Sequence, residues 1–136
     1  MASYNKFYSF VDYLSKASVN FSSDTFKIML TNTAPVATNT TYSSISSTEI
    51  ANGNGYTTGG SAITVTLSNV TGTETYSGSN VVFTATGVVG PFRYAVLYDS
   101  TSGVLVSWWD NGSSITLQSG DTFTFSPNSG ILATLA

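Results

Sequence analysis

Apolar and polar residues alternate with a period of two through most of the chain beyond Asn20, and this alternation restricts the fold more than any other feature. In the run TFKIMLT, for example, Phe26, Ile28 and Leu30 fall on one face of an extended chain. Eight segments are predicted to be strands: Thr25–Thr31, Ile63–Ser68, Val81–Ala85, Phe92–Tyr98, Val104–Trp109, Ser114–Leu117, Thr122–Phe125 and Ile131–Leu135. Eight short strands with little helix predict a mainly β fold, an antiparallel β-sandwich of the jelly-roll or immunoglobulin-like type.

Two further features bear on how the strands are arranged. Phe92–Tyr98 (FRYAVLY) is apolar on both faces apart from Arg93, which is typical of a central strand. Asn111 and Gly112 form a dipeptide that favours a tight turn, because both central residues of a type I′ turn need positive φ. A turn is therefore predicted between the fifth and sixth strand segments.

The segment from Ser3 to Ser18 departs from the two-residue period and is predicted to be a short amphipathic helix, with Ser3 as its N-cap. Its apolar residues recur at spacings of three and four and share one face, which the tyrosines widen: Tyr4, Phe7, Tyr8, Phe10, Val11, Tyr13 and Leu14. We expect this helix either to pack on its own domain or to act as an arm that docks on a partner. The chain accordingly divides into a helix or arm over residues 1–20 and a sandwich domain over residues 21–136.

Residues 32–60 form a long stretch without a clear strand pattern, rich in Thr, Asn, Ser and Gly. Loops of this length are uncommon in compact domains and are usually functional or disordered. We expect a surface excursion with short strand pieces around Tyr42 and Tyr56, mobile in the free protein and ordered in an assembly. Neither a lysine nor a predicted helix follows its glycine run NGNGYTTGG, which therefore predicts tight turns rather than a phosphate-binding loop.

The chain contains no histidine and no cysteine, and it carries four basic and seven acidic residues in 136. Histidine is the commonest acid–base catalyst, and zinc and most transition metals are bound through His or Cys. Asp99, Asp110 and Asp121 lie at predicted turns, where Asp satisfies local backbone N–H groups. A calcium site or a glycosidase carboxylate pair is only weakly indicated. The sequence therefore predicts a protein that is not an enzyme, with no catalytic residues, no cofactor and no metal site.

The charge pattern restricts the partners. The formal net charge is −3, and the four basic residues Lys6, Lys16, Lys27 and Arg93 do not cluster. Binding of nucleic acid or of an anionic membrane surface would require a basic patch, so neither is expected. The N-terminal region has no apolar core of the kind that signal peptides carry. We therefore expect synthesis in a bacterial host cytoplasm.

Aromatic residues are the candidate interface. Trp108 and Trp109 are adjacent in a predicted strand, so one should face the core and the other outward. The outward indole could cover a sheet edge, contact a protein or stack on a sugar, and these alternatives stay open. The candidate interface residues are Tyr4, Phe7, Tyr8, Tyr42, Tyr56, Trp108 and Trp109.

The segments Ser22–Thr40, Glu49–Gly60 and Gly90–Phe125 resemble a family of small proteins encoded by tailed bacteriophages and prophages. The resemblance covers most of the chain and includes the N-terminal helix, but its motifs carry no chemistry. It implies a virion structural protein, with capsid cement (decoration) as the most plausible role. The expected partners are the major capsid protein and copies of the chain itself, as a dimer or trimer on the capsid exterior. The alternative function is a glycan- or receptor-binding module of a phage tail or fibre, for which a glycan would be the partner.

Overall fold

The computed structural model describes residues 3–127 and 131–135, and it is mainly β, with 50% strand and 12% helix. All strand pairings are antiparallel, which confirms the predicted class. The elements in chain order are β1 (Ser3–Lys6), α1 (Tyr8–Ser15), β2 (Phe26–Thr31), α2 (Tyr42–Ile45), a 3-10 turn (Ser46–Thr48), β3 (Ser61–Ile63), β4 (Val65–Val70), β5 (Thr73–Gly78), β6 (Val81–Thr84), β7 (Val89–Asp99), β8 (Leu105–Leu117), β9 (Thr122–Phe125) and β10 (Ile131–Leu135).

The strands form three sheets. The largest has five strands in the order β1-β8-β7-β2-β3, so β7 is central, as its apolar sequence predicted. A three-stranded sheet has the order β10-β5-β4, and β6 pairs with β9 in a two-stranded sheet. Consecutive strands therefore change sheets along the C-terminal half of the chain: β7 and β8 lie in the first sheet, β9 in the third and β10 in the second.

The N-terminal segment differs from the prediction of a single helix over Ser3–Ser18. Ser3–Lys6 is a strand that pairs with Ser107–Asp110 of β8, and only Tyr8–Ser15 is helical. Ser3 is therefore not an N-cap; Phe7 occupies that position and makes no side-chain cap. The physical reason is the edge of β8, whose unpaired backbone groups give the first residues more hydrogen bonds than an isolated short helix would.

The Asn111-Gly112 dipeptide does not end a strand, which corrects the predicted turn. The two predicted strands on either side are one strand, β8, and the dipeptide lies in a bulge where its register with β7 shifts between Phe92 and Tyr94. Gly112 has a φ of 91°, and its N–H donates to Asp110 Oδ1 at 2.8 Å. The positive φ that the dipeptide favours is thus used to bulge the strand rather than to reverse it.

No strand was predicted at β5. Its sequence (TETYSG) is mostly polar, and Tyr76 is its one buried side chain. Thr71 and Gly72, with φ of 48° and 84°, form the tight connection from β4 to β5. Because Tyr76 is the only large apolar residue of β5, this strand lacks the alternation on which the prediction depended.

The five-stranded sheet is covered on both faces. Its larger core contacts β5, β6, β9 and α1 and contains, among other residues, Phe10, Phe21, Phe26, Ile28, Leu30, Tyr76, Phe83, Leu97, Val106, Trp109 and Phe125. A smaller cluster lies on the opposite face and contains Phe7, Met29, Ile45, Val96, Tyr98, Leu105 and Trp108. The residues that cover this second face come from the N-terminal segment and from the 32–60 segment.

Candidate interaction surface

The seven aromatic residues singled out in the sequence separate into exposed and buried groups. Tyr8 is 70% exposed, and Tyr4 is also exposed, at the edge strand β1. Tyr42 is half-buried. The remaining four, Phe7, Tyr56, Trp108 and Trp109, are buried. Surface contact by the intact fold is therefore open to Tyr4 and Tyr8, and in part to Tyr42.

The two tryptophans point to opposite faces of β8, as the alternation predicted, but the expectation of an outward indole is wrong. Trp109 packs edge-on against Phe125 in the larger core, with ring centroids 4.9 Å apart. Trp108 points to the other face, where the ring of Phe7 lies 4.6 Å away and leaves it only 9% exposed. Phe7 N–H donates to Val106 O at 3.2 Å, which holds the phenyl ring over Trp108. The N-terminal segment therefore covers Trp108, on the face of β8 where an exposed indole was expected.

Glu49 is the centre of a hydrogen-bond network inside the 32–60 segment. Its carboxylate accepts hydrogen bonds from the Tyr42 hydroxyl at 2.6 Å, the Tyr56 hydroxyl at 2.5 Å and the Gly59 N–H at 2.7 Å. The Tyr56 hydroxyl also accepts from Leu30 N–H at 3.1 Å, which ties the network to β2. Sequence reasoning did not single out Glu49; its placement between two tyrosines in an otherwise uncharged segment was the available signal.

The tyrosines of this network serve as hydrogen-bond donors. Burial, and then the hydrogen bond to Glu49, raise the pKa values of Tyr42 and Tyr56 well above the ordinary tyrosine value. Burial, and then the charge of Glu49, raise the pKa of Tyr98 to about 12, and its hydroxyl donates to Gly59 O at 2.6 Å. Phenols that stay protonated at neutral pH keep donating these hydrogen bonds, so this arrangement is suited to holding the loop.

The 32–60 segment is thus anchored at its centre, unlike the loosely held excursion expected from the sequence. Ile45 and Tyr56 are buried. The strand pieces expected around Tyr42 and Tyr56 are single bridges, Thr41 with Val104 and Gly53 with Tyr56, and Tyr42 itself begins a helical turn. A backbone pair also links Thr31 to Glu49. The expectation of mobility in the free protein stays a prediction for the stretches outside these anchors.

The glycine run forms turns, as predicted. Gly60 has a φ of 82°, and a Cβ there would lie against the carbonyl group of Ile28 in β2. Gly55 has a φ of 98°, and a Cβ there would lie equally close to the carbonyl group of Thr84. At both positions the positive φ and the close backbone approach require glycine.

The exposed apolar surface with the largest aromatic contribution lies on α1. Tyr8 and Val11 are one turn apart on this helix, and both are exposed. Tyr8 N–H donates to Ala37 O at 2.9 Å, which places the exposed Val36 beside the start of the helix. We call Tyr8, Val11 and Val36 the α1 patch. It adjoins a shallow pocket of about 190 Å³ lined in part by Pro35, Val36 and Ile45.

Two ion pairs occur among the described residues, and one of them lies on α1 next to the α1 patch. Arg93 binds Asp110 with two hydrogen bonds, of 2.7 and 3.0 Å, and this pairing lowers the pKa of Asp110. Lys16 and Asp12 form an exposed pair on α1 at 2.8 Å, of a kind that contributes little to stability. Apart from this weak exposed pair, an interface that includes the α1 patch would use apolar contacts and hydrogen bonds.

Asp24 and Asp99 form a carboxyl pair between the loop before β2 and the β7–β8 loop. Asp99 is fully buried; its Oδ1 accepts from Thr101 and Ser102 N–H, and its Oδ2 has no N–H or O–H donor among the described residues. A hydrogen bond between two carboxyl groups requires that one of them carry a proton, which agrees with the raised pKa of Asp99. Burial, and then Asp24, raise the pKa of Asp99, while the hydrogen bond with Asp99 is the main cause that lowers the pKa of Asp24.

The turn role predicted for Asp99 and Asp121 is confirmed, whereas Asp110 accepts a local N–H at a bulge inside β8 rather than at a turn. Asp99 accepts from the backbone of its own loop, Asp110 accepts from Gly112 N–H, and Asp121 Oδ2 accepts from Gln118 N–H at 2.9 Å. Over residues 3–127 and 131–135, no three side chains of the metal-binding types come together. In the same part of the chain, no helix has the length and hydropathy needed to cross a membrane.

Comparison of the chain with protein-family models, with curated proteins and with solved structures found no match.

Proposed function

We propose that this chain is a non-enzymatic cement protein that binds and stabilises the capsid of a tailed phage or prophage. In this proposal its three sheets form a β-sandwich that lies on the capsid exterior and contacts the major capsid protein and further copies of the chain. The sequence resemblance motivates the capsid as partner. We infer that the chain binds through the α1 patch, because Tyr8 is 70% exposed there and Val11 and Val36 are exposed as well.

The physical character of the molecule supports a binding role. The tyrosine hydroxyls of the Glu49 network stay protonated, and the ionisable groups form internal pairs and turns. Stability comes from two aromatic cores on either side of one sheet, with no cysteine to form disulfides. Such a domain can remain folded outside a cell while it presents an apolar patch to a partner.

The alternative, a glycan- or receptor-binding module of a tail or fibre, was motivated by Trp108, Trp109 and the tyrosines. Both indoles are buried, so the platform on which a sugar would stack is covered by Phe7 on one face and by the larger core on the other. We therefore favour a protein partner. Labelled protein found at tail tips rather than on capsids would favour the alternative.

The test is binding of the purified chain to capsids that lack it. Tyr8→Ala should weaken binding roughly thirtyfold, the effect of losing an interface residue worth about 2 kcal/mol. Val82→Ala, on β6 and also exposed, is the matched control and should bind like the unaltered chain. Binding should change little with salt, because exposed ion pairs each contribute only about 0–1 kcal/mol. Binding that is lost in high salt but unaffected by Tyr8→Ala would overturn the proposed mode.

A further inference from the structure

β4 is an unusually unprotected sheet edge. It has six residues (VTLSNV), whereas the edge strands of the other sheets, β1, β3, β6 and β9, have three or four. Natural edges are commonly blocked by charged residues, proline or a bulge. β4 has no charge and no proline, and its pairing with β5 is regular throughout. The residues from Thr66 to Val70 are all exposed.

The backbone groups that face this edge can be identified from both ends of the hairpin. At one end Ser79 N–H donates to Thr64 O at 2.9 Å, and Thr64 N–H donates to Ser79 Oγ at 3.1 Å. At the other end Val70 pairs with Thr73 across the two-residue turn. Residues that bond to one neighbouring strand alternate with residues that face the other side. Thr64, Thr66, Ser68 and Val70 therefore bond toward β5, and Val65, Leu67 and Asn69 direct their N–H and C=O groups to the open edge.

No backbone partner occupies that edge among the described residues. The same residues carry the side chains of one face. Leu67 is 38% exposed and lies beside a pocket of about 250 Å³, which Leu14, Phe21 and Tyr76 also line. The edge therefore offers unpaired hydrogen-bonding groups next to an open pocket whose lining is mainly apolar but includes Glu74.

We propose that two copies of this chain join through β4, antiparallel about a twofold axis that passes beside Leu67. The proposal gives the self-association in the proposed function a surface, and it rests on that part of the function alone. The joined sheet would have the order β10-β5-β4 followed by β4-β5-β10 of the second copy.

The register with Leu67 at the axis pairs all the outward backbone groups of β4. A twofold axis perpendicular to the sheet must place a residue opposite itself, because opposed side chains lie on the same face. With Leu67 at the axis, Leu67 faces its own copy and Val65 faces Asn69, so every outward N–H and C=O group is paired. With Ser68 at the axis, Leu67 would face Asn69, and Val65 would fall opposite the turn residue Thr71.

The absence of charged residues in β4 also favours a second copy of this chain as the partner at the β4 edge. A self-paired edge brings the side chains of β4 close to those of a second β4, and like charges placed opposite each other are destabilising. β4 has none. The Leu67 side chain of the second copy would lie on the same face as Leu67 and extend over the open pocket, which buries apolar surface from both copies.

The experiment is sedimentation velocity of the full chain over a range of micromolar concentrations. We expect reversible association to twice the 14.3 kDa chain mass. Leu67→Lys places two like charges opposite each other at the axis and should weaken the dimer at least roughly tenfold. Val82→Lys, an equivalent change on the exposed face of β6, should leave it unchanged. Thermal melting of both variants verifies that each is folded.

Hydrogen exchange read by NMR tests the register. On concentration, the amides of Val65, Leu67 and Asn69 should gain protection, while those of Thr66, Ser68 and Val70 should be protected at every concentration. A chain that stays monomeric, a Leu67→Lys dimer as tight as the unaltered one, or outward amides that do not respond to concentration would each overturn the proposal. Capsid binding by monomeric Leu67→Lys would show that the capsid role stands even when the β4 contact is lost.

Discussion

Phe7 should be one of the largest single contributors to stability, although it lies in the first few residues of the chain. Its side chain is fully buried, at 0% exposure, against Trp108. Removing a buried phenyl ring costs about 3–5 kcal/mol, from lost transfer free energy and from the cavity that remains. Typical domains have about 5–15 kcal/mol in total. Phe7→Ala should therefore remove a large part of the free energy of unfolding, and it should also expose Trp108.

The assay is urea unfolding followed by tryptophan fluorescence, with Tyr8→Ala as the control. Tyr8 is the next residue and is mostly exposed, so its truncation should change the free energy of unfolding by no more than about 0.5 kcal/mol. A double-mutant cycle of Phe7→Ala with Trp108→Ala should give a coupling of at least about 0.5 kcal/mol, as contacting aromatic rings do. A Phe7→Ala effect below about 1 kcal/mol, or additivity in the cycle, would refute the claim that the N-terminal segment covers this face.

Two further predictions concern the carboxyl groups. Glu49→Gln should destabilise the fold by about 1.5–3 kcal/mol, the range for hydrogen bonds to a charged group, as measured by urea unfolding at pH 7; an unchanged midpoint would contradict the network. Because the pKa of Asp99 is raised in the fold, its stabilising contribution is complete below the ordinary Asp pKa and is lost as pH rises through the folded value. The contribution of Asp24, whose pKa is lowered, is instead lost as pH falls below the ordinary value. Asp99→Asn should abolish the loss of stability that the unaltered chain shows as pH rises above the ordinary Asp pKa. If the stability of Asp99→Asn and of the unaltered chain changes with pH at the same rate, a protonated Asp99 in the fold is contradicted.

The strands could be predicted where one of their faces is buried. β2, β6, β9 and the central β7 have clear apolar patterns, and their sequence predictions agree with the structure within three residues at either end. β5 could not be found this way, because its residues are polar apart from Tyr76 and show no period. β1 was also missed: its tyrosine and lysine fit the helical spacing, and only the edge of a distant strand makes it extended.

The same limit applied to the candidate surface. The sequence established that Trp108 and Trp109 face opposite ways, because adjacent residues in a strand always do. It could not show that the second face has its own cover, since Phe7 and Ile45 reach it from segments far apart in the chain. The role of Glu49 likewise depends on two tyrosines and a glycine that only the folded loop brings together.

The most direct test of the capsid role is the temperature at which particles release their DNA, with and without this protein. A protein that binds only the intact lattice stabilises it by its binding free energy, so particles that lack it should assemble but release DNA at a lower temperature. Adding back the purified chain should restore the original temperature, and Tyr8→Ala should require more protein to do so. Depleted and decorated particles that release DNA at the same temperature would contradict the proposed function.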